Sequence, residues 1–290
     1  MTNNKHLRNI LELNIAIVFM STSGALARYI ELPVPVMIAS RALLGGVFIY
    51  LFCRWKKFDL KIRKQDRGVL VLSGVLMGLH WVTYFYSLVL SSVAMGMISL
   101  FTFPVITSLL EPLILKKRFQ NAQILLGLMT LVGVYFLVPE FDLKNDYFKA
   151  LCVGVLSAVF YSLRNIITKS KVQSYNGSVV MMYQLIVIAV VFSPVFLICK
   201  DFKLADQLPG ILLLSLLTTA IGHTLFLYSL KNFSVTSISL MSSSQLLYGV
   251  LIGIIFLSEY PRSSSIIGGI IIFATVVLES LRTYKKQPSN

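Results

Sequence analysis

Several ionisable side chains of this 290-residue chain fall inside long apolar runs, where a charge is costly and seldom kept without a role. They are Glu12, Arg28, Arg41, Glu111, Arg164 and Glu279, together with His80 and His223. An Arg or Asp at the centre of a membrane helix costs about 2.5 to 3.5 kcal/mol. Glu12, Arg28 and Glu279 stand near enough to the ends of their runs to extend toward the interface. Arg41 lies too deep for that, and reads as a fork for a substrate carboxylate or as the partner of a carbonyl or of Glu31. His80 and His223 lie near the middle of their runs. Each could take up a proton coupled to solute movement, or stay neutral and bond a neighbouring Ser, Thr or carbonyl. Glu111, just before Pro112, reads as a proton-coupling carboxylate beside a kinked helix or as an ion-pair partner of Lys116.

Polar residues at helical spacing widen this set. Asn14, Ser21 and Arg28 share one helix face, as do Tyr161, Asn165 and Thr168, and as do His80, Tyr84 and Ser87. Ser99 and Thr102, and the dense group Thr236, Ser239, Ser242, Ser243 and Gln245, add to them. Turned toward lipid such stripes would be wasted, so they are expected to face inward, lining a site or serving helix packing. The substrate-binding candidates are Asn14, Arg41, His80, Tyr84, Ser99, Tyr161, Asn165, His223 and Ser243, with Glu111, His80 and His223 as coupling candidates. Joined by Trp81 and Phe226, they suggest a polar, aromatic-lined cavity for a small amphipathic solute. The sequence contains no H-E-x-x-H, G-x-S-x-G or Walker motif. Cys53, Cys152 and Cys199 are scattered, without disulfide or metal spacing. No enzyme activity, metal or cofactor is expected.

The elements that must hold these residues are membrane helices. The chain is 56% hydrophobic and only 13% charged, far from the balance of a water-soluble domain. A spanning helix needs about 20 apolar residues. Runs of that kind cover about 10–30, 34–53, 69–90, 93–115 and 122–139, then 148–169, 178–199, 209–230, 235–257 and 264–282. Each run is continuously apolar, whereas barrel strands would alternate. The expected fold is an all-α integral membrane protein of ten transmembrane helices.

The net charge of +14 is assigned to topology rather than to nucleic acid. With the N-terminus inside, one set of links carries most of the basic residues, from Arg54, Lys56, Lys57, Lys61, Arg63, Lys64 and Arg67 to Lys116, Lys117 and Arg118. The opposite loops hold only Lys144, Lys149, Lys200, Lys203 and Arg262, beside carboxylates such as Glu140, Asp142 and Asp201. Both termini are expected in the cytoplasm of a multi-pass inner-membrane protein. Lys5 and Arg8 precede a run ending in Ala25-Leu26-Ala27, which fits a signal-peptide cleavage site. Cleavage is not expected, because it would spoil the following repeat.

Tyr86-Ser87-Leu88 recurs as Tyr228-Ser229-Leu230, 142 residues later, and Ser92-Val93 as Ser234-Val235 at the same offset. Gly127 is echoed by Gly268. The chain therefore divides into 1–141 and 142–290, five spans each. Five is odd, so the halves enter the membrane with opposite orientation, as inverted repeats with a site between them near the midplane. Gly74 with Gly78, and Gly249 with Gly253, form small-residue pairs that predict close helix contacts.

On these features the chain resembles the drug/metabolite transporter superfamily, and within it the EamA-type ten-helix carriers. The resemblance rests on Gly24, on Pro35 followed by Arg41, on the two Tyr-Ser-Leu ends, and on Pro104, Asn165, Tyr183-Gln184 and Glu259 nine residues before Gly268. The chain departs from the family at Lys117-Arg118, the first-half counterpart of Glu259, and at Ser244-Gln245-Leu246, where the family often has a proline. The resemblance implies a secondary transporter, an exporter of small metabolites such as amino acids working by alternating access. A membrane-embedded enzyme or a non-transporting scaffold or sensor is the alternative.

Overall fold

The computed structural model describes residues 2–90, 96, 99–137, 145–199, 203–257 and 263–285. The loop charges Glu140, Asp142, Lys144, Lys200, Asp201, Glu259 and Arg262, the Ser92-Val93 element, Gly253 and the side chain of Arg28 lie outside them. Every regular element among the described residues is helical. In chain order these are α1 (Thr2–Tyr29), α2 (Val34–Trp55), α3 (Lys64–Leu90), α4 (Phe103–Leu115), α5 (Asn121–Leu137) and α6 (Asn145–Ser174). There follow α7 (Gly177–Phe192), trailed by the single helical turn Val195–Ile198, then α8 (Leu208–Ser229), α9 (Val235–Met241), α10 (Ser244–Leu257) and α11 (Ser263–Lys285). Among the described residues seven helices are long and apolar enough to cross a membrane, and α4 and α5 are shorter apolar helices. Val190, Ile255 and Phe273 are 67%, 70% and 62% exposed, and they belong to an apolar outer surface that suits lipid rather than water.

Three runs that read as continuous spans are interrupted, one of them, 178–199, by an exposed turn at Ser193–Pro194 after α7. The 235–257 run breaks at Ser242–Ser243, between α9 and α10. There Ser243, Gln245 and Leu246 donate their N–H groups to carbonyls three residues back, and the Ser244 hydroxyl donates to the Met241 carbonyl. Consecutive serines offer the backbone local bonds that compete with a regular helix, so no proline is needed. In the 93–115 run a turn at Phe101–Thr102 precedes α4, with the Thr102 hydroxyl donating to the Ser99 carbonyl. A further irregularity lies inside α8, which is a π-helix over Leu214–His223.

Helix α3 packs against α6 and α7, while α8 packs against α1 and α2. Helix α2 meets α7, α4 meets α6, α10 meets α1, and α5 lies along α11. Gly133 fits α5 to α11, since a Cβ there would come 2.7 Å from Ile272 Cγ1 and 3.0 Å from the Gly268 carbonyl oxygen. This α5/α11 pair stands at the edge with Leu125, Ile270 and Phe273 exposed.

Of the small-residue pairs, Gly74 and Gly78 do make a close contact, with α7. A Cβ at Gly74 would lie 2.7 Å from Val187 Cβ and 3.2 Å from Gln184 Cα, and one at Gly78 would lie 2.9 Å from Phe192 Cε2. The expectation is corrected at Gly249, where an added Cβ would meet nothing within 4 Å. Gly74→Ala should therefore cost about 1 to 3 kcal/mol through overpacking, whereas Gly249→Ala should change the melting temperature little. Thermal unfolding of the two variants in detergent checks the difference, and equal melting temperatures would refute it.

The links rich in lysine and arginine gather at one end of the helices. Asp66 Oδ1 accepts from Lys171 Nζ at 2.7 Å, while Asp66 Oδ2 accepts from Tyr175 Oη at 2.5 Å and from Arg63 Nε at 3.1 Å. Lys169 Nζ donates to the Leu230 carbonyl and, at 2.7 Å, to the Phe233 carbonyl. Glu279 accepts from Ser237 Oγ and from Arg282, each at 2.6 Å, and from Gln123 at 3.2 Å. This basic end is tied shut by bonds between helices far apart in sequence.

Candidate substrate cavity

The cavity lies in the middle of the molecule and in the half away from the basic end. It holds about 510 Å³ of unfilled space, counting its mouth. Its wall includes Met20 and Ser23 from α1, Arg41 from α2, and His80, Trp81, Tyr84 and Phe85 from α3. Leu100, Phe101 and Phe103 come from the interruption before α4, Tyr161 from α6, Thr218 and His223 from the π-helical part of α8, and Ser242 and Gln245 from the break before α10. Thus the turns at Phe101–Thr102 and Ser242–Ser243 and the π-helical segment border the space, whereas the turn at Ser193–Pro194 does not. Helices that lose their regular bonding inside a membrane protein do so where they line a cavity.

The arginine is buried, 1% exposed. Its Nε donates to Thr219 Oγ1 at 3.1 Å, and Nη2 donates to Thr218 Oγ1 at 3.0 Å and to Thr219 Oγ1 at 2.9 Å. Consecutive side chains of an α-helix diverge by about 100°. The wider π-turn brings two neighbouring threonines to one guanidinium. Gly45, one turn after Arg41, lets α8 come close, since a Cβ there would lie 2.9 Å from Thr219 Cγ2. The guanidinium carbon sits 3.9 Å from the centre of the Trp81 ring.

His80 Nδ1 is 2.8 Å from Ser157 Oγ, and that hydroxyl donates to the His80 backbone carbonyl at 2.9 Å. A serine has one hydrogen to give, so with that hydrogen on the carbonyl Nδ1 is the donor to Ser157. The His80 ring stacks on Tyr161 at 4.5 Å between centroids, and Tyr161 meets Phe103 edge-on at 5.2 Å. His223 tilts against Trp81 at 5.5 Å. Two buried polar atoms of this wall, His223 Nδ1 and Ser242 Oγ, make no hydrogen bond to a described residue. An unsatisfied buried polar group costs about 1 to 3 kcal/mol, which a bound solute can recover.

Of the residues singled out by type and spacing, Arg41, His80, Tyr84, Tyr161 and His223 therefore meet at one wall. Asn14 is outside the lining, with Nδ2 donating to the Ile10 carbonyl and Oδ1 accepting from Tyr248 Oη, both at 2.9 Å. Asn165 accepts from Arg164 Nη1 at 2.8 Å behind the wall, and Ser99 and Ser243 are fully buried beside it. Glu111 is elsewhere. It accepts from the N–H groups of Val235 and Thr236 at 3.2 and 2.7 Å, from the Thr236 hydroxyl at 2.7 Å and from Lys117 at 3.3 Å. Trp81 was noticed in the sequence as an aromatic, and Ser242 and Gln245 of the dense polar group also reach the wall, but Thr218 and Phe101 carried no signal that would single them out.

The profile of the EamA-like transporter family matches residues 9–138 and again 148–281. The pseudopaline exporter CntI of Pseudomonas aeruginosa is 26% identical over 256 residues, covering 88% of each chain. An uncharacterized transporter of Helicobacter pylori is 23% identical over 255 residues, covering 85% of each. A solved crystal structure shares the fold at a TM-score of 0.81 with 15% identity, covering 97% of this chain and 99% of that one.

Proposed function

The chain belongs to the EamA-like transporter family, and from that premise we propose that it is a secondary transporter exporting small metabolites, such as amino acids, across the inner membrane. It works by alternating access, with the cavity between two inverted five-helix repeats, 1–141 and 142–290. The observation that carries this reading is the cavity itself, buried among helices, bounded by three irregular segments and provided with unpaired polar atoms. The twofold family match supports the repeats. So does the packing, because exchanging the halves turns the α3/α6 contact into α8/α1 and the α3/α7 contact into α8/α2. The turns at Phe101–Thr102 and Ser242–Ser243 stand one repeat length apart, and paired interruptions in the two halves point to a transporter's binding site. The basic end faces the cytoplasm by the positive-inside rule, so the conformation described is closed on that side. Export is supported by the role of exporter that the Pseudomonas relative's name gives it. Proton coupling through His80, His223 or Glu111 belongs to the same proposal.

Counterflow in proteoliposomes tests it, using labelled amino acids, other organic acids and nucleosides, each with and without a pH gradient. Saturable uptake of one class, lost in His80→Ala, is the expected result. No counterflow from folded, inserted protein would return the scaffold or sensor reading.

A further inference from the structure

The buried carboxylates near the basic end all have cationic partners: Asp66 has Lys171 and Arg63, Glu111 has Lys117, and Glu279 has Arg282. The two buried guanidiniums, Arg41 and Arg164, have no carboxylate at all among the described residues. Arg164 stands away from the cavity, and its donors reach Gln184 Oε1, Asn165 Oδ1 and Met181 Sδ. Arg41 borders the cavity and is held differently. Its hydrogen bonds run from Nε and Nη2 alone, and Nη1 has no bond to a described residue.

Both hydroxyls that Arg41 meets already give their hydrogens away, to the Leu214 carbonyl at 2.6 Å from Thr218 and 3.3 Å from Thr219. They turn lone pairs toward the guanidinium and orient it without neutralising it. The Trp81 face does the same from a second direction. A cation taken out of water without a counterion is strongly disfavoured. The missing anion must come from the cavity. His223 Nδ1 and Ser242 Oγ, without a partner among the described residues in the same wall, are left to its other polar groups.

We propose that Arg41 is the carboxylate-binding residue of this cavity and that its solute is an organic acid, with the apolar part against Trp81, Phe85, Phe101 and Tyr161. This rests on the reading of the cavity as a solute site. With Nε and Nη2 held by the two threonines, Nη1 is left to give a charge-assisted N–H bond, which favours an anionic carboxylate over a neutral amide.

The test is thermal unfolding of the purified full chain in detergent at constant ionic strength in sodium chloride. Acetate, phenylacetate and glutarate are added, each compared with its neutral amide. At a ligand concentration about ten times its dissociation constant, at least one acid is expected to raise the midpoint by ~2–4 °C, its amide leaving it unchanged. Arg41→Gln is expected to abolish that shift while melting no lower than the unliganded parent, because it removes an uncompensated charge. Arg41→Lys keeps a charge but not the Nη1 donor aimed by the threonines and is expected to retain a smaller shift, which serves if the glutamine variant fails to fold. The assignment is overturned if amides shift the midpoint as much as acids, if the shift persists in Arg41→Gln, or if no acid shifts it. Counterflow of a neutral solute unaffected by Arg41→Gln would also overturn it while leaving transport intact. Arg41-dependent acid binding without any counterflow would instead sink the transporter reading alone.

Discussion

Glu111→Ala is expected to destabilise the protein by about 3 to 5 kcal/mol, whereas Glu111→Gln is expected to leave it folded. The carboxylate is 3% exposed and accepts the first two N–H groups of α9. Those donors have no partner inside their own helix, and they lie at its positive end, where an anion is favoured. The Thr236 hydroxyl and Lys117 complete the shell. Alanine strands all four donors, three of them buried, against a typical total stability of about 5 to 15 kcal/mol. Glutamine keeps one oxygen in place for Thr236 but turns an amide N–H toward Val235 or Lys117, so it should melt lower than the parent yet still transport. Melting curves and counterflow of the two variants decide the matter. If Glu111→Gln kept full stability and lost only the response to a pH gradient, the residue would be the proton carrier rather than a helix cap.

The second large effect is expected at the basic end. Asp66→Ala should weaken the tie between the start of α3 and the end of α6 by about 2 to 3 kcal/mol, since three charged or polar donors lose a buried acceptor at the rim. Lys171 is itself only 19% exposed at its side chain, so its charge would be left partly buried. Backbone amides of residues 63–67 and 171–175 should then exchange hydrogen about 30 to 100 times faster, because a change of 1.4 kcal/mol is a factor of ten in the opening equilibrium. Asp66→Asn preserves the shape and one acceptor and should show a smaller change. Unaltered exchange with an unaltered melting temperature in Asp66→Ala would mean that the closed end does not depend on this cluster.

Both residues show the limit of reading by position. Glu111 was legible as a costly carboxylate beside Pro112, but the ion pair read for it with Lys116 is made by Lys117 instead. Its other partners, Val235 and Thr236, stand on a helix more than a hundred residues further along. Asp66 drew no attention, lying within the basic link that marks the topology.

Membrane class and helical character belong to the sequence alone, because hydropathy over about 20 residues is a local property and a membrane leaves the backbone few alternatives. The charge asymmetry of the links and the echo between Tyr86-Ser87-Leu88 and Tyr228-Ser229-Leu230 are likewise visible without coordinates. So is the chemical singularity of Arg41, His80 and His223. Which face of each helix looks inward, and at what depth, depends on how neighbouring helices rotate and approach one another. Hence only the tertiary structure set Thr218 and Thr219 against Arg41, Ser157 against His80, and Asn14 outside the cavity. It also decided that Gly74 packs closely while Gly249 meets nothing, and that apolar runs apparently continuous at 93–115 and 235–257 turn beside the site. Small differences in local bonding, such as a serine hydroxyl competing for a carbonyl, become backbone irregularities only where a polar cavity makes them affordable.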